Sequence, residues 1–331
     1  MEQIALIIGD TILYWNSIIT ALAVAAAMGL FAALYLYKTG NWLSIAVLLP
    51  LATVLSFFCS RLIHWYCRSS SYESFYAAIT DYTSGGYALI GVFAGCLLAA
   101  VLMRLFRVIE DLPELLDSMA LAGTAGIGLG RLASFFNASD RGMAVESTQL
   151  PLAAASVNSI TGITEYHFAT FLFQAMVCGA VFLGLLLFWF GKQKKSASLK
   201  SGDTCLIILL LYCASQALLD STRYDSLFLR SNGFVSLVQI FCALMIVFIV
   251  VLFSIRMVRA RGWHYWFLAF WIPQAAMLGG AGYMEYYVQR HGNLALFAYS
   301  IMGACLSGFV ILTLVIRLLA VAKENRRMLI S

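Results

Sequence analysis

The chain has 331 residues, 62% of them hydrophobic and 11% charged, with a formal net charge of +5. Soluble domains carry roughly 25% charged residues, so this composition excludes an ordinary soluble enzyme and points to an all-α polytopic membrane protein forming one integral unit. The small positive excess reads as a topology signal, and no nucleic-acid partner is expected.

Met1–Ser17 holds Glu2 and Asp10 and no Lys or Arg, whereas a cleaved signal peptide needs a basic n-region. Met1–Asn16 is expected as an amphipathic helix on the membrane surface. About 20 apolar residues cross a bilayer as a helix. Nine spans are read on that basis, at roughly Ser17–Tyr37, Leu43–Trp65, Gly86–Phe106, Leu115–Phe136, His167–Phe190, Cys205–Leu219, Phe234–Ile255, Tyr265–Tyr286 and Leu294–Ala320. Fourteen Lys and Arg residues fall on one side of these spans and seven on the other. The basic-rich side is expected to be cytoplasmic, with the N-terminus outside. On the outer side, Arg68–Gly85 and Asn137–Tyr166 are too long for simple turns, and loops of that size are often functional. The inner Lys192–Lys200 run reads as a topology determinant. Most of the eight cysteines lie inside apolar spans and no CxxC occurs, so neither a disulfide framework nor a metal site is expected, and no cofactor is implied.

Charge inside the apolar segments carries the functional signal. Arg131 sits near the end of the fourth span, where an unpaired guanidinium is costly. An anionic ligand, a lipid phosphate above all, and a fixed internal partner are the two explanations. Ala122, Gly126 and Gly130, with Gly123 and Gly128 beside them, read as a face for close helix packing. Gln216, Asp220 and Arg223 follow at i, i+4 and i+7 and are expected on one helix face. Asp220 and Arg223 either neutralise each other or place Arg223 beside Arg131 around a phosphate, for which the planar guanidinium fork is suited. Arg61 either snorkels to the headgroups or contacts substrate. His64, one turn on, titrates near neutral pH and is a candidate proton acceptor. His167 caps or bonds locally, while Glu285 and Arg290 read as interfacial. The aromatics Trp65, Tyr66, Tyr72, Phe75, Tyr76, Tyr82 and Tyr87 read as an interface belt.

These residues, in this order, resemble the bacterial prolipoprotein diacylglyceryl transferases over about Ala21–Ile255. The segment Gly130-Arg131-Leu132-Ala133-Ser134-Phe135-Phe136-Asn137, with Asp140 and Gly142 after it, is similar to the family's Gly-Arg-x-Gly-Asn-Phe-x-Asn signature. Ser134 stands for the first asparagine, and Ser139, with Asp140 next to it, for the following glutamate. Gly85 to Gly91 resembles Gly-Gly-x-x-x-His-Gly with Ile90 at the histidine, and His167 begins a His-Pro-x-Gln segment that lacks its proline. Tyr212–Arg223 resembles Tyr-Gly-x-x-Arg-x-x-x-Glu-x-x-Arg, with Gln216 at the first arginine and Asp220 at the glutamate.

The resemblance implies a seven-span core in a bacterial cytoplasmic membrane, N-terminus outside, with an outward-facing site. Residues 1–255 would form the transferase-like unit and 256–331 an added two-span region with a tail. Its implied activity moves diacylglycerol from phosphatidylglycerol, or a related anionic phospholipid, to the lipobox cysteine at a prolipoprotein signal peptide. Arg131, Asp220, Arg223, Asp140 and His64 are the expected catalytic residues, and Arg61, Ser134, Asn137, Gly142, His167 and Gln216 the expected substrate contacts. Because Ile90 and Gln216 depart from the pattern, transfer to another acceptor and a lipid-binding scaffold stand beside this reading.

Overall fold

The computed structural model describes residues 4–9, 11–80, 86–137, 140–145, 153–157, 164–192, 200–223, 225–229, 232–291 and 294–328. Tyr82, Gly85, Ser139, Arg230 and residues 193–199 of the basic run lie outside them. The chain opens with an antiparallel hairpin, β1 (Ile4–Ile8) and β2 (Thr11–Tyr14), which turns at Gly9 with φ of 59°. This corrects the expected surface helix. The apolar residues of Ile-Ala-Leu-Ile-Ile and Thr-Ile-Leu-Tyr are β-branched or aromatic in large part, and glycine at a left-handed position favours a reversal over a helix.

Helices α1 (Trp15–Thr39) and α2 (Trp42–Cys67) follow, then the short α3 (Phe75–Thr80), α4 (Leu89–Leu105) and α5 (Leu112–Arg131). A second hairpin, β3 (Ala153–Val157) and β4 (Thr164–Phe168), leads to α6 (Thr170–Lys192) and α7 (Asp203–Ser221). A third, β5 (Phe228–Leu229) and β6 (Asn232–Ser236), leads to α8 (Leu237–Arg261), α9 (Leu268–His291) and α10 (Ala295–Met328). Seven of the described helices are long and apolar enough to cross a membrane. The apolar α4 is shorter, and the continuous helix α9 carries Pro273, Gln274 and Glu285 within its apolar run. The molecule is a polytopic helical membrane bundle, and nine of its described helices, α1, α2 and α4 to α10, overlap the nine expected segments in order. Side-chain caps fix several starts: Asn41 for α2, Asp111 for α5, and a reciprocal Ser236–Gln239 capping box for α8.

One apolar core joins α1, α2, α4 and α5 through Phe31, Leu48, Ala99, Met103 and Leu115. Another joins α7, α8, α9 and α10 through Leu210, Ile249, Ala281, Leu306 and Ile316, so the last two helices share a core with the two before them. Small residues set the closest approaches. A Cβ on Gly91 or Gly95 would come within 2.3 and 2.4 Å of the Ser60 and Ser56 backbone on α2. The expected glycine face of α5 is partly realised: a Cβ on Gly126 would meet Ala27 at 2.6 Å and one on Gly128 would meet Cys178 at 3.1 Å, while Gly123 has nothing within 4 Å. All eight cysteines are free. Glu285, expected at an interface, is instead buried, accepting hydrogen bonds from Ser221 and, at 2.8 Å, from Gln289.

Candidate active site

The three hairpins gather at the end of the bundle where α5 and α7 finish. Trp15, at the start of α1, lies 6.1 Å from the ring of Phe136 just past α5. Residues 140–145 thread between β4 and the end of α7. Gly142 N–H donates to Phe168 at 2.8 Å, Met143 N–H donates to Thr222 at 2.8 Å, and Gly142 bridges to Arg223. The close passage needs glycine: a Cβ on Gly142 would stand 2.6 Å from Thr170 Oγ1 and 2.9 Å from Phe168 Cβ.

This threading brings Asp140 between the two arginines. Its Oδ2 lies 2.6 Å from Arg131 Nη1 and its Oδ1 lies 2.7 Å from Arg223 Nη2. Ser134 donates its hydroxyl to Oδ2 at 3.1 Å. Asp140 has φ of 58°, a left-handed conformation that Asp tolerates better than most residues. Burial raises the pKa of this carboxyl, but the two guanidiniums outweigh it and hold the pKa at about 2. Arg223 also meets Asp225 at 2.9 Å and Asp220 at 3.7 Å. Asp220 is itself fixed by the Ser236 hydroxyl. Of the two explanations raised for Arg131, the structure shows the internal one: it has a carboxylate partner, and that carboxylate ties it to a second arginine at the rim of the bundle.

The expected single face of Gln216, Asp220 and Arg223 is not kept. The helix ends at Ser221, and Arg223 lies beyond it in the bridge to Gly142. Gln216 turns instead to α6, where it accepts a hydrogen bond from Gln174 at 2.9 Å, both side chains being buried. Arg61 does not snorkel. It is 0% exposed, donating Nε–H to the Ala78 carbonyl at 2.6 Å and Nη1–H to Gly86 at 3.1 Å, with the rings of Tyr72 and Tyr87 within 5.4 Å of its guanidinium carbon. His64 belongs to the same group, its Nδ1 2.8 Å from the Tyr72 hydroxyl. Tyr72 and the half-exposed Tyr87 are thus partners in this cluster, whereas Tyr66 and Tyr76 are exposed. His167 reaches across to another segment, its Nδ1 3.1 Å from the Gly142 carbonyl oxygen. The Asn137 carbonyl accepts from Arg141, which also donates to Ala155 and so secures β3.

Two participants escaped the sequence reading. Asp225 pairs with Arg223 and accepts the Asp140 N–H at 3.1 Å, and Arg68 donates to the Asp225 carbonyl at 3.3 Å. Arg68 therefore joins the His64–Arg61 end of α2 to the arginine cluster. The alternation of charges at Asp220, Arg223 and Asp225 was the available signal.

A family model for prolipoprotein diacylglyceryl transferase matches residues 3–255. Among curated proteins, the phosphatidylglycerol–prolipoprotein diacylglyceryl transferase of Bacillus licheniformis is 26% identical over 260 residues, covering 73% of this chain and 90% of that protein. The enzyme of the same name from Ligilactobacillus salivarius is 27% identical over 262 residues, covering 75% and 93%. That from Acaryochloris marina is 25% identical over 229 residues, covering 67% and 80%. With three-quarters of its length matched by the family model, and the arginine-bearing segments falling inside that match, the chain belongs to the prolipoprotein diacylglyceryl transferase family.

Proposed function

We propose that this protein transfers the diacylglyceryl group of phosphatidylglycerol to the lipobox cysteine of a prolipoprotein, at the outer face of a bacterial cytoplasmic membrane. The single observation that carries the site assignment is the Arg131–Asp140–Arg223 bridge. Arg131 commits Nη1 to Asp140, and a guanidinium has five N–H donors, so its fork keeps capacity for phosphate oxygens. Arg223, facing three carboxylates, steadies Asp140 and supplies the second positive charge. Ser134 and Gly142 keep that carboxylate in place.

In the reaction, the cysteine sulfur forms a bond to glyceryl C3 while the C3–O bond to phosphate breaks. The electron pair leaves with glycerol phosphate, whose charge the arginines stabilise. The thiol proton needs an acceptor, because a thiol of pKa about 8.5 is mostly protonated at neutral pH. Asp140, held ionised by two arginines, is a weak base, and Asp220 is buried beneath Arg223. His64, beside Tyr72 on the end of α2 that Arg68 links to the cluster, is the better placed of the three candidates. Arg61 acts by holding the α3 segment against α2. Residues 256–331 are read as an addition to the transferase unit, giving nine spans with the N-terminus outside.

Full-length protein incubated with labelled phosphatidylglycerol and a lipobox peptide should yield a peptide heavier by one diacylglyceryl group in mass spectrometry, and Arg131→Ala should abolish it. Intact lipid and peptide with folded protein would sink the reading. Ile90 and Gln216 stand where the family pattern has a histidine and an arginine, and Gln216 pairs with the neutral Gln174; this favours a second reading: transfer to a different acceptor. Consumed lipid with an unmodified peptide would select it.

A further inference from the structure

At the far end of α7 from Arg223 lies a second charged centre. Asp203 opens the helix, is 1% exposed, and pairs with Arg256 at 2.6 Å and Arg317 at 2.9 Å. Over it opens a cavity of about 400 Å³, whose lining includes Lys200, Arg256, Arg259 and Arg317, with Asp203 as the one carboxylate among the described residues. Among the described residues, the lining carries four cations to one carboxylate. Arg259 also lines a neighbouring groove of about 660 Å³ along α8 and α9, whose walls include Val247, Val251, Ile255, Trp271 and Leu278. Val247, Val251 and Ile255 repeat every fourth residue and so form one stripe on α8. From Val247 to Arg259 the groove runs for about 18 Å at 1.5 Å per residue, close to the reach of an acyl chain.

We propose that cavity and groove form one site for an anionic phospholipid of the inner leaflet, with phosphate among the cations and an acyl chain along the α8 stripe. Charge complementarity identifies the headgroup, and continuity at Arg259 identifies the molecule as one that carries both a phosphate and a hydrocarbon chain. Basic pockets between helices at the cytoplasmic side suit such headgroups. The Trp263–Trp271 pair, with centroids 5.5 Å apart, places aromatic rings beside the groove, as expected at headgroup level. Arg256, Arg259 and Arg317 lie beyond residues 3–255, whereas Asp203 and the α8 stripe lie within them, so the site joins the matched region to the segment that follows it. It stands about 26 Å from the arginine bridge, the length of α7 between Asp203 and Asp220, and it does not depend on the transferase reading.

The test is native mass spectrometry of the full chain in mild detergent, titrated with dioleoyl phosphatidic acid, dioleoyl phosphatidylcholine or inorganic phosphate. Phosphatidic acid should be retained at least tenfold better than phosphatidylcholine. Arg259→Gln should weaken that retention about fivefold, the effect of one cation near a lipid surface, and Val251→Trp should weaken it by filling the groove. Both residues are exposed, and melting temperatures measured without added lipid verify that the variants are folded. Equal retention of the two lipids, or wild-type retention in both variants, would overturn the proposal. Inorganic phosphate competing as well as the lipid would overturn it in favour of a free-anion site.

Discussion

Asp140 illustrates how one carboxylate decides the state of two arginines. Its pKa is lowered from 3.8 to about 2 in the folded protein, so the folded state binds fewer protons than the unfolded state between those values. The stabilisation is therefore fully present above about pH 4 and is lost as pH falls toward 2. Thermal melts of wild type and Asp140→Asn across pH 5 to 2 should show the gap between them closing over this window. A constant gap would mean that the carboxylate charge is not what matters. At neutral pH the substitution takes the carboxylate from Arg131, while Arg223 keeps Asp225 and Asp220, and this costs about 3 kcal/mol for a largely buried pair. The sequence marks Arg131 and Arg223 because charge in an apolar segment demands explanation. It does not mark Asp225, since nothing in a local pattern links it to Asp140, 85 positions away. The exchange of an expected arginine for Gln216 was visible, but its partner Gln174 was not, because a glutamine in a helix announces no direction.

At the scale of elements, hydropathy alone identifies the long helices, because each must be apolar over most of its length to sit in lipid. The hairpins stay hidden for the opposite reason: two short strands carry little periodic signal, and their pairing depends on what lies above the bundle. Helix contacts are intermediate. Small residues on α5 were expected to pack, yet the tightest contact is between α2 and α4. Gly91→Ala places a methyl group 2.3 Å from Ser60 Cα, where backbone cannot yield cheaply, and overpacking of this kind costs about 1–3 kcal/mol. Gly123→Ala, with open space around it, should be neutral or gain up to about 1 kcal/mol from helix propensity. Comparing the melting temperatures of the two variants tests the assignment, and equal shifts would contradict it. Because Ser60 precedes Arg61 and Gly91 follows Ile90, Gly91→Ala should also lower transfer activity per folded molecule.

Across the whole molecule, α7 spans two charged centres, Asp220 with Arg223 at one end and Asp203 with Arg256 and Arg317 at the other. Helices in lipid gain little from apolar contact as such, since hydrocarbon surrounds them either way, so close packing and polar pairs hold the bundle together. The Asp203–Arg317 pair is then the main polar tie between α10 and α7. Arg317→Met should leave Asp203 buried with one partner fewer and destabilise the protein by about 3 kcal/mol. Removing the charge at both ends, with Asp203→Asn and Arg317→Met together, should recover much of that loss, because the costly species is the buried carboxylate left with Arg256 alone. A double-mutant cycle read from detergent melts measures the coupling directly. Additive losses would show that the two residues act separately and that α10 is held by packing alone. The same variants should retain diacylglyceryl transfer per folded molecule, since the arginine bridge lies a helix length away. A selective loss of transfer in folded Arg317→Met would instead mean that the two ends of α7 are coupled.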